Sequence, residues 1–415
     1  MEYSADFTED AIRHYVSEFS FTALRREEAI KSSDYTEKDL LDFDRKLLGL
    51  CQGIANNQES CLVYAQSQWK RFEDEDLLPI LFFIYSFHCD VDALASLVEQ
   101  LNQAEIDYID IINRVLTWVS EITLKKLITT EKWPTNTDII VTTIMIKAFR
   151  AGLVDTQYLL DLYPSLTQDV AKKIMIDCFG DNKLSVAKLL LYAEYKNNDS
   201  ALKIACYRAL LLIDEANILP QWEAMIQHCQ EDKSKPLFDL LVKRLDYDDV
   251  LILIKYLFTS LHQYDKALII AGMSGLVKFI PWILTLIEND IEITLAVGQL
   301  ELITGLDLTK ENMEKEVNNH FVPDLEKIQR WWIKNENRFS QYKRYLLGKE
   351  LNYKNLVNLF KSNHQLCRYN SSLYLALLSP STPLLDLNEP SFSVYYGNIT
   401  YKYQKLLSNQ DRKAV

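Results

Sequence analysis

Apolar residues recur along this chain at intervals of three and four, the spacing that lines up one face of an α-helix. In EDAIRHYVSEFSFTALRREEAI, positions Ile12, Tyr15, Val16, Phe19, Ala23 and Leu24 form one such stripe. Ser33 and Asp34 mark a break. Thr36 then stands as an N-cap with Asp39 three residues on, a carboxylate form of the capping box. A second stripe follows in Leu40, Leu41, Phe43, Leu47, Leu48 and Leu50, and a third in Cys61, Leu62, Tyr64, Ala65 and Trp69. Residues 1–72 therefore read as an N-terminal helical region.

Residues 73–305 read as a train of short helices. Start signals (an Asp, Asn, Ser or Thr cap, or a proline in the first turn) place helices near Leu77, Val91, Ile106, Ile122, Asp138, Asp155, Asp169, Lys183, Ser200, Pro220, Lys235, Asp248, Gln263, Phe279 and Ile291. The starts are roughly 12 to 17 residues apart, so a helix pair spans about 30, compatible with HEAT-like repeats. The pairs share no consensus, and a non-repetitive helical bundle is the competing arrangement.

Residues 306–415 change character. A helix is predicted from Asp324 to Asn337, carrying Trp331 and Trp332, with two more near Tyr353–Phe360 and Ser371–Leu378. SPSTPLLDLNEPSF then brings in Pro380, Pro383 and Pro390, which predicts extended backbone. SVYYGNITYKY has strand-type residues around Gly397-Asn398, compatible with a short terminal hairpin or with a docked or frayed tail. The fold class expected is all-α: an irregular HEAT-like α-solenoid of short helix pairs with a helical C-terminal cap.

Composition supports helices joined by short polar connectors. Glycine and proline number 10 each in 415 residues, about 5% together against a usual total of about 12%, so few turns need their backbone properties. Hydrophobic residues at 48% and charged residues at 25% exclude a disordered chain. The net charge of −13 repels phosphate backbones and anionic lipid, which argues against nucleic-acid and membrane partners. It suits a basic protein partner, or serves only to keep the chain in solution. The longest apolar run, Leu77–Phe87, is 11 residues, short of the roughly 20 that span a bilayer. Leu276–Ile287 is interrupted by Lys278 and Pro281. The opening MEYSADFTEDAIRHYV lacks the basic-then-apolar order of a signal peptide, so a cytoplasmic location is expected. Cys51, Cys61, Cys89, Cys178, Cys206, Cys229 and Cys367 are odd in number and never spaced CxxC, as reduced core thiols would be.

No phosphate loop, GxSxG or HExxH motif occurs. Gly272-Met273-Ser274-Gly275 reads as a turn between helices. The histidines are scattered at 14, 88, 228, 262, 320 and 364. His88-Cys89 and His228-Cys229 are adjacent, so their side chains point about 100° apart on a helix and chelate poorly. The acidic run Glu73–Asp76 complements the dipole of the apolar helix behind it, with a basic partner or a divalent cation as the alternative; Asp246, Asp248 and Asp249 read the same way. Trp282, Trp331 and Trp332 sit at helical spacing as core aromatics, or as binding hot spots if exposed. Asn370-Ser-Ser and Asn398-Ile-Thr are glycosylation sequons that carry no weight without a secretory signal. No catalytic, cofactor or metal residue is assigned, and the sequence does not locate the binding face.

Three stretches together resemble a proteobacterial family of HEAT-like proteins often encoded in type VI secretion gene neighbourhoods. They are His14–Arg25 continuing to Leu40 and Asp44-Arg45; Phe279–Trp282 with Leu302–Asp307; and Trp332, Arg338-Phe339, Arg344–Gly348, Arg368, Ser379-Pro380 and Pro383-Leu384. The middle repeats do not match residue by residue, and the ending after Pro390 departs from the pattern. The resemblance implies a non-catalytic protein-binding scaffold. Its partner would be a secreted effector toxin, which an immunity protein binds and neutralises or an adaptor or chaperone loads onto the secretion spike. An enzyme with dispersed acidic residues and a purely structural oligomer are the other readings. Among the shared residues, Thr304-Gly305 fits a helix stop. Arg338 and Arg344 are expected to cap carbonyls or pair with carboxylates between the C-terminal helices.

Overall fold

The computed structural model describes residues 3–411 apart from 33–34, 73–74, 104–107, 130–136, 198–200, 215–216, 227–234, 261, 290, 318–319, 363–364, 380–381, 388 and 391–392. Three helices open it. α1 (Tyr3–Lys31) buries the stripe Ile12, Val16, Phe19 and Ala23. α2 (Glu37–Asn56) starts at the expected capping box: the Asp39 amide donates to the Thr36 hydroxyl at 3.5 Å and Asp39 accepts from the Thr36 amide at 2.8 Å. α3 (Gln58–Phe72) and α2 both pack on α1.

A train of short helices then runs to residue 304. They are α4 (Leu78–His88), α5 (Val91–Gln103), α6 (Ile109–Leu116), α7 (Glu121–Ile128), α8 (Asp138–Arg150), α9 (Thr156–Leu162), α10 (Asp169–Asp181), α11 (Lys188–Asn197), α12 (Ala201–Leu212), α13 (Trp222–Ile226), α14 (Lys235–Arg244), α15 (Tyr247–Lys255), α16 (Tyr264–Ser274), α17 (Ile280–Glu288) and α18 (Ile293–Thr304). Every start read from the sequence has its helix. Those near Ile106 and Lys183 begin late, at Ile109 and Lys188, and the others fall within two residues.

The even-numbered helices form a row. α4 packs on α6, α6 on α8, α8 on α10, α10 on α12, α12 on α14, α14 on α16 and α16 on α18. Odd-numbered helices flank them: α5 lies on α4, α7 and α9 on α8, α11 on α12, α15 on α16 and α17 on α18. Sequence decides the rank. α4, α8 and α12 are apolar nearly all round, as in α8's Ile139, Ile140, Ile144 and Met145, and need neighbours on every side. α9 buries only Leu159 and can stand at the surface. The row is tight at Gly180, where an added Cβ would lie 2.6 Å from the Ala209 backbone, so α10 and α12 touch main chain to main chain.

After Gly305, left-handed at φ 71° as the helix stop requires, two small hairpins appear that the sequence does not announce. β1 (Glu314–Val317) pairs antiparallel with β2 (His320–Pro323), and β3 (Tyr345–Leu346) with β4 (Lys349–Glu350). Between them lies α19 (Leu325–Asn335), N-capped by Asp324. α20 (Tyr353–Ser362), α21 (Gln365–Leu378) and α22 (Val394–Asp411) complete the chain. α22 corrects the terminal-hairpin reading. Neither Gly397 nor Asn398 takes the positive φ that a two-residue turn demands. Tyr395, Tyr396, Ile399 and Tyr403 fall instead on one helical face and are buried with Leu356, Val357, Phe360, Leu385 and Leu387, so tertiary burial overrides strand propensity. No helix among the described residues is long and apolar enough to cross a membrane.

Gly180 and Gly49 make a matched test of the row. Gly180→Ala is expected to cost about 1 to 3 kcal/mol in urea unfolding, because the Ala209 main chain cannot yield. Gly49→Ala, also in a helix but with nothing within 4 Å of the new methyl, is expected to gain up to about 1 kcal/mol. Equal effects at the two sites would show that α10 and α12 are not in main-chain contact.

Candidate functional site

The last carbonyls of a helix have no partner within it and must find one elsewhere. Here the C-terminal residues supply partners along one edge of the row. Arg344 donates from Nη1 to Val242 O and Ser274 O, both at 2.8 Å, and from Nη2 to Leu245 O. Tyr345 N donates to Gly275 O at 2.8 Å, Leu347 N to Leu302 O at 2.7 Å and Gly348 N to Ile303 O at 3.0 Å. Three helix ends, those of α14, α16 and α18, are thus closed by four residues between Arg344 and Gly348. The capping role expected of Arg344 is present. Arg338 instead lies exposed, donating to the Asn335 side chain at 2.8 Å.

From Thr382 the chain returns across the inner helices in extended form. Leu384 N donates to Asp181 O at the end of α10, 2.7 Å away. The Leu384 side chain is buried with Leu212 of α12 and Leu240 of α14. Asp386 accepts from Arg150 at 2.8 Å; Glu389 accepts from Arg150 at 2.8 Å and from the Lys147 ammonium. Arg26 of α1, itself paired with Asp44 at 2.5 Å, donates to Glu389 O at 3.2 Å. α21 adds Tyr369, which donates to Asp239 of α14 at 2.9 Å, and Tyr374, which donates to Met273 O at 3.1 Å. Arg368, fully buried, pairs with Glu37 at 3.2 Å and also donates to the Tyr396 hydroxyl, which donates on to Glu37 at 2.7 Å.

Compared with known family models, with curated proteins and with solved structures, the chain matches none. Its chemistry is therefore read from the geometry alone.

The charges on this inner face are buried and balanced. Burial pushes the Lys147 ammonium below its ordinary range, with the Glu389 carboxylate acting the other way. Burial also works against the Arg150 charge, but Tyr395, Asp386 and Glu389 outweigh it, so Arg150 stays protonated. Arg208 bridges Asp177 at 3.0 Å and Asp181 at 2.7 Å, and burial still raises the Asp181 carboxyl. Beside them a cleft of about 360 Å³ stays open between α6, α8, α10 and Asp386, with Lys147, Arg150, Lys173, Asp177 and Asp181 in its wall. A smaller hollow of about 180 Å³ continues it past Arg208.

The residues weighed from the sequence lie elsewhere. Trp282 is half-buried and edge-on to Phe258, and Trp332 is buried against Phe339. Cys89 ends α4 at φ 56°, its Sγ toward Thr123 O at 4.0 Å, while His88 is exposed beside it. Asp246 caps α15, accepting from the Asp249 amide at 3.0 Å. Glu73, Asp74, His228, Cys229 and His364 fall outside the described residues. Among the described residues, no group of three or more His, Cys, Asp or Glu is placed to hold a metal ion. Burial pushes the Cys51, Cys178 and Cys206 thiols up to about 12, so they stay protonated. Lys147 and Arg150 were missed, although a signal existed. Two bases three residues apart at the end of the mostly apolar DIIVTTIMIKAFR must find carboxylates somewhere.

Removing the anion exposes the cost of those bases. Glu389→Gln is expected to destabilise by about 3 to 5 kcal/mol, and adding Lys147→Met to recover part of it, read as urea midpoints. Lys243 supplies the opposite case. It is buried over the Tyr374 ring at 5.2 Å, its Nζ has no hydrogen bond, and burial lowers its pKa from 10.5 to about 8 despite Asp239. The penalty for charging it is full below pH 8 and fades as pH rises toward 10.5. Lys243→Met is thus expected to stabilise by about 2 kcal/mol at pH 7 and by little at pH 10. A pH-independent gain would show that burial does not depress the Lys243 pKa, the ammonium titrating alike in the folded and unfolded chain.

Proposed function

We propose that the chain is an irregular HEAT-like α-solenoid that works by binding another protein rather than by catalysis. The observation that carries this is the row of even-numbered helices, each resting on the next but one, with the odd-numbered helices laid along its flank. Stacked helix pairs of that kind build long surfaces for partner proteins. The flank also leaves large apolar side chains in solvent at intervals: Ile122 on α7 (70% exposed), Tyr158 on α9, Leu189 on α11 (85%) and Ile252 on α15. Apolar groups repeated along one rank are what a protein interface draws on.

The resemblance seen in the sequence gives the setting. Within type VI secretion, the role proposed is that of an immunity protein that binds and neutralises a cognate effector toxin. The alternative is an adaptor or chaperone that carries an effector to the secretion spike. The net charge of −13 supports a basic partner in either role.

Tagged full-length protein recovered from its native cell, with mass spectrometry of what accompanies it, tests the proposal. One stoichiometric protein encoded beside it is the expected result. Toxicity of that protein expressed alone, relieved by co-expression, selects immunity; a harmless protein found in the secreted fraction selects the adaptor. Recovery of nothing stoichiometric overturns the scaffold reading. Ile122→Asp and Leu189→Asp are expected to weaken capture by roughly tenfold or more, with stability changed by less than about 0.5 kcal/mol.

A further inference from the structure

The chain is extended from Thr382 to Asp386, one side chain to each face in succession, and a turn closed by Glu389 N donating to Asp386 O at 3.2 Å then brings Glu389 to the same side as Asp386. Leu384 and Asp386 turn to the helix row, while Leu385 and Leu387 turn to the cluster of α20 and α22. Among the described residues its main chain makes a single backbone hydrogen bond to the row, Leu384 N to Asp181 O. The rest of its hold is by side chains: one leucine between Leu212 and Leu240, and two carboxylates on Lys147 and Arg150. This is how a groove holds an extended peptide, not how a sheet or helix layer is built. The groove also continues beyond the stretch as the open cleft between α6, α8 and α10. In a chain of net −13, this inner face offers two buried bases and an apolar notch, a complement to acid and leucine.

We propose that the inner face of α8, α10, α12 and α14 is a binding groove for an acidic, leucine-bearing segment of a partner protein, occupied in cis by the chain's own Leu384, Asp386 and Glu389. The proposal rests on the reading of the chain as a protein binder and names the chemistry of one segment it takes. Leu385 and Leu387 share one cluster with Tyr395, Tyr396, Ile399 and Tyr403, and with Leu356, Val357 and Phe360 of α20 and Tyr374 and Leu375 of α21, so displacing the stretch from the row loads that whole cluster. Two hydroxyls also tie α22 to the stretch, Tyr395 to Leu384 O at 3.2 Å and Tyr403 to Pro383 O at 3.2 Å. A competing segment must carry leucine and, two and five residues on, a carboxylate, the spacing of Leu384, Asp386 and Glu389.

The test uses the full-length chain and a labelled peptide with the sequence of residues 382–393. Fluorescence anisotropy is expected to show binding at least tenfold tighter to the D386K/E389K variant, whose own stretch is repelled by Lys147 and Arg150, than to the unaltered protein. A peptide carrying lysine at both acidic positions is expected to bind neither. Hydrogen exchange on the unaltered protein is independent of how the variant folds. The Leu384 amide is expected to exchange at least tenfold faster than the amides of Ala209–Leu212 in α12, and faster still with excess acidic peptide but not lysine peptide. Exchange of Leu384 at the α12 rate, unmoved by peptide, overturns the proposal, as does equal binding of the two peptides. Capture of a whole partner that is lost in Ile122→Asp and Leu189→Asp, with no peptide binding, overturns it too and leaves the scaffold reading standing.

Discussion

The row of inner helices can exist only if the carbonyls at its helix ends find donors, because an unmet buried carbonyl costs about as much as several such helices have to spare. α10, α14, α16 and α18 all deliver their last carbonyls to one edge. The donors come from far along the chain: Arg344, Tyr345, Leu347, Gly348 and the Leu384 amide. The debt runs both ways. Lys183, just past α10, returns its ammonium to Ala376 O and Ser379 O at the end of α21. The C-terminal third is therefore the part that allows the preceding helices to end where they do.

Closing that edge brings charges into the interior, and their energetics are different in kind. Lys147, Arg150, Asp386 and Glu389 neutralise one another with little solvent, as do Arg26 and Asp44. Desolvating such groups absorbs most of what their attraction returns, so apolar substitutes of the same shape would hold the fold as well. What the charges add is exclusiveness. A stretch shifted by one residue would turn Asp386 away from Arg150 and toward the apolar cluster and take Leu384 from between Leu212 and Leu240, so a shifted register is disfavoured.

The helices were legible because their signals are local. Thr36 with Asp39, Ser120, Asp155, Asp246 and Asp324 act as caps at the places their neighbours in sequence imply, and α4 and α17 carry a proline in the first turn. The rank of a helix was partly legible too, since α4 and α8 lack a polar face. The inner-face site was not. Its members come from residues 26, 147, 150, 386 and 389, and nothing near Glu389 in sequence announces Lys147. The two small hairpins escaped for the opposite reason. Glu314–Val317 has no apolar alternation, and its pairing to His320–Pro323 is extended at the open end by the Asp324 amide meeting Met313 O. In α22 the local signal was present and lost: four large side chains found a buried helical face, worth more than any strand propensity of Tyr and Ile.

A simple stack of helix pairs is held by nearest neighbours alone, and so opens wherever one interface is weakest. The returning chain changes that. Arg26 of α1 holds Glu389, Glu37 of α2 holds Arg368, α8 holds Asp386, α10 holds Leu384, and α14 and α16 hold Tyr369 and Tyr374. Elements hundreds of residues apart are joined by one continuous piece of chain, so local opening of the row must strain contacts at several other steps. The helices from α1 to α16 are thereby cross-braced by contacts that pairwise stacking alone does not supply.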